Sequence, residues 1–448
     1  MASDLWESVS MIKINWSHYL NKVLAKEISN ITCYFDQTIY FKPHYQDKRE
    51  ITDFVAVKGK IIVSEDGEFT SDATAFNRRA ILIKGLLNYD FDIQKTLKDL
   101  KTKLSRTDRL VVITYNSYFS FFYKLANILR FRKADIPTTF ITYTDLDNIT
   151  KLAGYEMTRV RPVGHMPFHL LGLGSIINYI LPALPFFRWF SFACIITIRP
   201  KPDINAVKPS LTVVIPARNE KGNIENALKR MPDLGCKLEI IFVEGNSSDG
   251  TWEEIQRVSQ VYRDRFDIKC FQQTGKGKGD AVRFGFLKAQ SDLLTILDAD
   301  LTMPPEMLGR FYSAFTDGLA DFINGTRLVY PMEGEAMRFL NFLGNKFFAM
   351  ALSFVLDTKL GDSLCGTKLM LRKDYKRFTD WRTDFGDFDP FGDFGLLFPA
   401  AIMGLGTVDI PIRYLARTYG TTNIHRFRHG FMLLKMTMIG LFRVKCRT

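Results

Sequence analysis

Between residues 211 and 297 the chain alternates short apolar runs with stretches that are apolar on one side only. LTVVI (211–215), EIIFV (239–243), IKCF (268–271) and LLTIL (293–297) are rich in branched side chains and almost wholly apolar, the pattern of strands covered on both faces. Ile224, Ala227, Leu228 and Met231 recur at i, i+3, i+4 and i+7 and predict an amphipathic helix between the first two strands. Thr251 and Glu254 form a T-x-x-E box, which predicts the start of the next helix. The order is βαβαβ, so a parallel sheet with right-handed crossovers is expected, with any ligand outside the carboxyl ends of its strands.

Upstream, AILIKGLL, IQKTLKDLKTKL, RLVVITY and AGYEMTRVRP read as strand, helix, strand and strand. The run RPKPDINAVKPS (199–210) packs three prolines among polar residues and reads as a linker. The expected organisation is therefore an α/β domain over 1–200, a linker over 201–210 and a second α/β domain over 211–448. Three further stretches, 170–187, 339–356 and 431–444, are strongly apolar but too short or too interrupted by Asn, Pro or Lys to predict a span, for which about 20 mainly apolar residues are needed. Surface helices fit the last two better, and the last, with basic flanks, suits either a membrane interface or packing on its own domain.

Composition narrows the class. A hydrophobic share of 46% with 38 Phe argues against a disordered or fibrous chain. The six cysteines, Cys33, Cys194, Cys236, Cys270, Cys365 and Cys446, include no CxxC pair, which argues against a disulfide scaffold or zinc ribbon and suits a reducing compartment. The first residues lack the basic and apolar regions of a secretory leader, so a cytoplasmic protein is expected. Net charge is +12, and residues 410–448, with eight Lys or Arg and no acid, carry +8 of it, a surface suited to polyanions or an anionic membrane face.

The loops after the four strands are the candidate chemistry. They are PARNE (216–220), EGNSSDGT (244–251), GKGKGDAVR (275–283) and DAD (298–300). If DAD continues its strand, Asp298 and Asp300 face the same side and can share one cation. Paired carboxylates without His or thiolate neighbours are hard oxygen donors, suited to Mg²⁺ or Mn²⁺ carrying a diphosphate rather than to zinc. The glycines around Lys276 and Lys278 would admit a phosphate, although the P-loop pattern is absent.

These motifs give residues 208–448 a resemblance to the family 2 glycosyltransferases of GT-A fold, particularly the polyprenyl-phosphate branch of dolichol-phosphate mannose or glucose type. The resemblance implies a Rossmann-like mixed sheet; the pattern upstream separately resembles the second half of a methyltransferase-type α/β domain. It implies that Pro216, Ala217, Arg218, Glu220, Glu244, Asp249, Lys278, Gly279, Asp280 and Asp298 bind the nucleotide sugar, and that Asp298 and Asp300 hold Mg²⁺ or Mn²⁺. Thr302 stands where many lipid-acceptor members have Gln as a further metal ligand. GTR (325–327) and DSLCGTK (362–368) resemble acceptor-side segments, which makes Arg327 and Lys368 candidates for the acceptor phosphate and, with the two aspartates, for catalysis. GDFDPFGDFG and YGTTNIHRFRHG resemble segments of close relatives and add Asp387, Asp389 and Asp393, and Arg426 and Arg428 on the acceptor side. Turn chemistry is the alternative for Asp387 and Asp389.

The expected function is an inverting, metal-dependent transfer of a hexose from a UDP- or GDP-sugar to a polyprenyl phosphate, by a protein peripheral to the cytoplasmic face of the membrane. A phosphate acceptor is already anionic near neutral pH and needs no general base; a hydroxyl acceptor, the alternative, would need a carboxylate such as Asp387, Asp389 or Asp393. A non-catalytic basic adaptor for membrane or nucleic acid is the alternative from another class; it leaves the four polar loops unexplained, and no nucleic-acid partner is expected. The N-terminal domain resembles a SAM-dependent methyltransferase, but residues 1–58 contain no glycine. A backbone that must closely approach the cofactor cannot do so there, so a degenerate, non-methylating domain is expected.

Overall fold

The computed structural model describes residues 16–41, 51–64, 78–85, 87, 90, 92–128, 140–202, 208–330, 339–385, 389, 392–419 and 426–446. The chain divides into two compact units, Met1–Pro200 with Leu441–Thr448, and Lys201–Gly440.

The first unit runs α1 (Trp16–Thr32), β1 (Gln37–Phe41), β2 (Ile61–Ser64), β3 (Arg79–Lys84), α2 (Ile93–Lys101), β4 (Arg109–Tyr115), α3 (Ser120–Ile128), α4 (Tyr143–Leu152), β5 (Tyr155–Val163), α5 (Leu173–Ile180) and β6 (Ala193–Pro200). Its sheet order is β2-β1-β3-β4-β6-β5, parallel up to β4 and antiparallel across β4-β6-β5. Central β3 is buried at every position because both faces are covered. Helix α2 covers one face with Ile93, Leu97 and Leu100, and Asp92 caps it by accepting from the Lys95 amide. Residues Leu441–Lys445, assigned from sequence to the second domain, group with this unit: buried Arg161 donates to the carbonyls of Val444, at 3.2 Å, and Lys445.

The second unit runs β7 (Leu211–Ala217), α6 (Lys221–Lys229), β8 (Leu238–Glu244), α7 (Thr251–Val261), β9 (Asp267–Gln272), α8 (Lys278–Lys288), β10 (Leu293–Ile296), α9 (Leu308–Thr316), β11 (Phe322–Thr326), α10 (Phe339–Leu356), β12 (Lys368–Leu371), α11 (Arg372–Phe385), α12 (Phe394–Ile402), β13 (Thr407–Pro411) and α13 (Arg426–Gly440). Its sheet order is β13-β11-β12-β10-β7-β8-β9, with β9-β8-β7-β10 parallel and β12 antiparallel to both neighbours. Val213, Ile215, Ile240 and Phe242 pack with Ile224, Leu228, Ile255 and Val258 in one core, so the predicted helix face does point at the sheet. The expected mixed α/β architecture is present, with three local differences.

IKCF is not covered on both faces, because β9 is the sheet edge and its residues are half-buried or exposed. Thr251 does not cap α7. Gly250, with φ 83°, takes the cap position, and the Thr251 hydroxyl instead meets the Asp249 carboxylate and the Glu220 amide. The DAD aspartates lie past the end of β10, in a turn closed by the Leu301 amide on the Asp298 carbonyl, 3.1 Å. Strand alternation therefore does not orient them; the turn does.

Candidate active site

Strands β7 and β8 end level with each other, Ala217 beside Glu244, so their loops leave side by side. Hydrogen bonds stitch the two loops together. The Gly245 amide donates to Ala217, the Asn219 amide to Ser247 Oγ at 2.9 Å, the Ser248 amide to Asn219 Oδ1 at 2.9 Å, and the Lys221 amide to Asp249 Oδ2 at 3.2 Å. Asn219 and Asn246 have φ of 54° and 57°, a backbone region that Asn enters more readily than most residues. Pro216 and Ala217 form the floor of this rim, Arg218 is exposed above it, and Glu244 is buried, accepting from the Ser247 amide.

Two carboxylates on these loops differ in state. Burial pushes Glu220 up to about 7, against the opposing hydrogen bond from Asn223, 2.8 Å; the Asp300 charge adds to the shift and Arg417 opposes it. Asp249 also suffers burial, but hydrogen bonds from Thr251, the Lys221 amide and the Tyr419 hydroxyl hold it below the usual carboxylate range.

Strand β10 lies beside β7 and delivers the DAD turn to the same end of the sheet. Leu301, immediately after it, is buried with φ of 53°, a strained conformation for a branched side chain that the tight turn imposes. Thr302 donates to Asp300 Oδ1 from both its amide, 3.1 Å, and its hydroxyl, 2.8 Å. The residue standing at the further-ligand position thus orients the carboxylate beside it.

Lys278, at the first position of α8, places Nζ 2.5 Å from Asp298 Oδ1, and Arg417 places Nη2 2.6 Å from Asp300 Oδ2. Burial alone would raise Asp298, but Lys278, Lys368 and Arg327 together hold it low; burial likewise works against the Lys278 charge, yet Asp298 and Asp393 keep it raised. Gly279 lets α8 approach Gly392, whose backbone nitrogen is 3.1 Å from where a Gly279 Cβ would stand. Asp280 accepts from Gln273 Nε2 at 2.8 Å and so closes its own loop.

The two acceptor candidates are enclosed rather than presented. Arg327 makes a two-pronged ion pair with Asp362 at 2.7 and 2.8 Å. Lys368 is buried, with Nζ 2.5 Å from Asp393 Oδ1 and bonded to the Cys365 carbonyl. Asp389 accepts from the Gly395 amide at 2.7 Å, tying its loop to the start of α12. Asp387 lies outside the described residues; Arg426 and Arg428 begin α13, with side chains outside them.

Four contributors escape sequence reading. Arg417, Thr418 and Tyr419 reach, respectively, Asp300, Asn223 and Asp249, so one short segment straps two of the loops and the first turn of α6. Arg417 registers in sequence only as one of the tail's many basic residues. Gly366 is the fourth: a Cβ there would stand 2.4 Å from both Asp298 Oδ2 and Lys278 Nζ.

Among the described residues no group of three His, Cys, Asp or Glu converges as a metal cage. Two carboxylates, each balanced by a basic side chain, nevertheless fit a Mg²⁺ or Mn²⁺ ion that takes its other oxygen ligands from a phosphorylated substrate and water.

An open sheet whose polar loops converge at the carboxyl ends of parallel strands defines a crevice-binding α/β protein. Residues 212–379 match Glycosyl transferase family 2, and this part of the chain is a domain of that family. The dolichol-phosphate mannosyltransferase of Pyrococcus furiosus is 30% identical over 240 residues, 50% of this chain and 64% of the relative. That of Saccharomyces cerevisiae is 34% identical over 122 residues, 26% and 44% respectively. The chain thus spans less than two thirds of the length of either curated relative. A solved mannosyltransferase from Pyrobaculum calidifontis, in complex with GDP-Man and Mn²⁺, aligns over 62% of this chain and 80% of its own at 16% identity and a TM-score of 0.38.

Proposed function

We propose that this chain is an inverting glycosyltransferase that uses Mg²⁺ or Mn²⁺ and moves a hexose from a UDP- or GDP-sugar to a polyprenyl phosphate at the cytoplasmic membrane face. The observation that carries the reading is the pairing of Asp298 and Asp300 in one turn, ringed by the charges of Lys278, Arg417, Lys368 and Arg327, within a family 2 domain. The relatives named above are dolichol-phosphate enzymes, which supports the lipid acceptor.

Asp298 and Asp300 would hold the cation, which when bound neutralises charge on the departing nucleoside diphosphate. Lys278 and Arg417, which balance the two carboxylates, supply positive charge for the donor diphosphate once that pairing is relaxed. Lys368 and Arg327 add fixed positive potential around Asp298, with Asp393 and Asp362 keeping them in place. The stitched loops at Asn219, Ser247 and Asp249 position the nucleotide. Asp389 and Asp393, which a hydroxyl acceptor would recruit as bases, are already engaged by Gly395 and Lys368, and this favours an acceptor that is itself an anion.

Membrane association is supported by α10 and α13, which pack together and expose Leu343, Phe347 and Met350 on one, and Phe431, Leu434 and Met438 on the other. No helix among the described residues is long and apolar enough to cross a membrane. For the first unit, the glycine-free sequence through residue 58 supports the non-methylating reading.

The test is transfer of label from nucleotide sugars to short-chain polyprenyl phosphate with Mn²⁺ present. Asp298→Asn and Asp300→Asn are expected to lower the rate at least about 10²-fold, the scale of losing one electrostatic stabiliser. Wild-type transfer by either variant would reject the assignment.

A further inference from the structure

The first unit carries an apolar surface that the proposed transfer chemistry does not use. Residues 170–190 do not form one helix: they break into a turn at Leu170–Gly172, helix α5, and turns at Leu181–Ala183 and Pro185–Phe190. Leu170 and Leu171 have φ of 42° and 53°, and Leu171 is fully exposed at the tip. Ile176, Phe186 (71% exposed) and Trp189 (65%) also face outward, and α3 adds Phe121 and Ile128 (76%). The two segments are joined. Asn116, just before the turn into α3, donates from Nδ2 to the carbonyls of Trp189, 3.0 Å, and Ser191, 2.7 Å, and the Tyr118 and Trp189 rings meet at 6.2 Å.

Polar anchors hold this surface from beneath. Asn178, buried on α5, pairs with both the amide and the carbonyl of Met166, each at 2.9 Å, and His165 Nε2 lies 3.1 Å from the Phe187 carbonyl. The inward face thus carries polar anchors, while large apolar side chains point out. A soluble monomer rarely presents so many side by side.

Charge indicates what covers them. No Asp or Glu occurs anywhere in residues 157–202 or 109–134, whereas Lys124 and Arg188 stand among the apolar residues. Tyr and Trp at the patch, Tyr118, Tyr179 and Trp189, are the side chains that favour the boundary between lipid and water. A surface built of short turns around one eight-residue helix, with its apolar side chains on the outer face, is one that lies on a bilayer rather than crosses it.

We propose that the face formed by residues 170–190 and 117–128 is a membrane-docking surface that inserts its apolar side chains into the headgroup boundary of an anionic bilayer. The inference deepens the membrane-surface part of the proposed function, since that reading supplies a lipid acceptor, but it stands on its own geometry.

The experiment measures binding of the full chain to phosphatidylcholine vesicles with and without phosphatidylglycerol, in the absence of any nucleotide sugar. Wild type is expected to bind the mixed vesicles more tightly and to lose that advantage in high salt. Phe186→Ala and Trp189→Ala are each expected to weaken binding roughly tenfold, the scale of withdrawing one large side chain from lipid. Lipids carrying a nitroxide should quench the fluorescence of the unsubstituted chain, less so after Trp189→Phe, a readout that does not depend on the alanine variants' stability. Vesicle binding unaffected by both substitutions would overturn the proposal. So would a dimer that the substitutions dissociate while vesicle affinity stays the same, since a second copy would then be the occupant. Transfer to a water-soluble short-chain acceptor keeps its wild-type rate in these variants; if the wild type transfers nothing, the glycosyltransfer reading fails while the vesicle result stands.

Discussion

Gly366 shows how narrowly the site is set at the scale of one residue. A Cβ there would stand 2.4 Å from both Asp298 Oδ2 and Lys278 Nζ, so any side chain must push a carboxylate or an ammonium aside. Gly366→Ala is therefore expected to cut the transfer rate at least about tenfold through misplaced charge, with the fold retained, as read by steady-state kinetics beside a thermal melt. Sequence made Asp298 and Asp300 visible because paired acids after an apolar strand are uncommon. It could not show Gly366, since nothing local distinguishes a glycine needed for packing from one needed for a turn. Thr302 is a similar case: its hydroxyl aims Asp300, which only the geometry of the turn reveals.

At the scale of elements, the parallel strands were legible because burial on both faces writes itself as continuous apolar runs. The exceptions come from position in the sheet. β9 reads like its neighbours but is an edge, and edge status is a property of the order of strands rather than of any one strand. The broken segment after β5 is likewise fixed by its anchors. Burial pushes His165 there from 6.5 down to about 4, against the hydrogen bond to Phe187, so the folded chain holds it neutral. The unfolded chain binds more protons between those values; the contribution to stability is fully present above 6.5 and is lost as pH falls toward 4. His165→Gln should remove that loss, roughly 3 kcal/mol across the interval, which urea unfolding at each end of the range would measure.

At the scale of the whole molecule, the segment from Leu441 to Lys445 belongs to the unit that holds β1–β6, although the other unit, Lys201–Gly440, lies between them in sequence. Leu441–Lys445 supplies two carbonyls to the buried guanidinium of Arg161, and Glu27 lies 3.5 Å from its Nε. A chain stopped after Gly440 is expected to lose about 1–3 kcal/mol from the first unit, the cost of stripping partners from a buried donor. Hydrogen exchange should show β5 amides opening faster with β8 amides unchanged. No sequence pattern marks this return, because a basic tail reads the same whether it meets lipid, solvent or another part of its own chain.

The sequence by itself determined the alternation of strands and helices, the mixed α/β class, and the polar loops with their paired aspartates, because period and residue chemistry are local. Tertiary structure alone decided which charges answer one another: Arg417 reaches Asp300 across 117 positions, and Arg327 and Lys368 are spoken for by Asp362 and Asp393. Electrostatic pairing depends on distance in space, and that distance exists only once the sheet has brought the strand ends together.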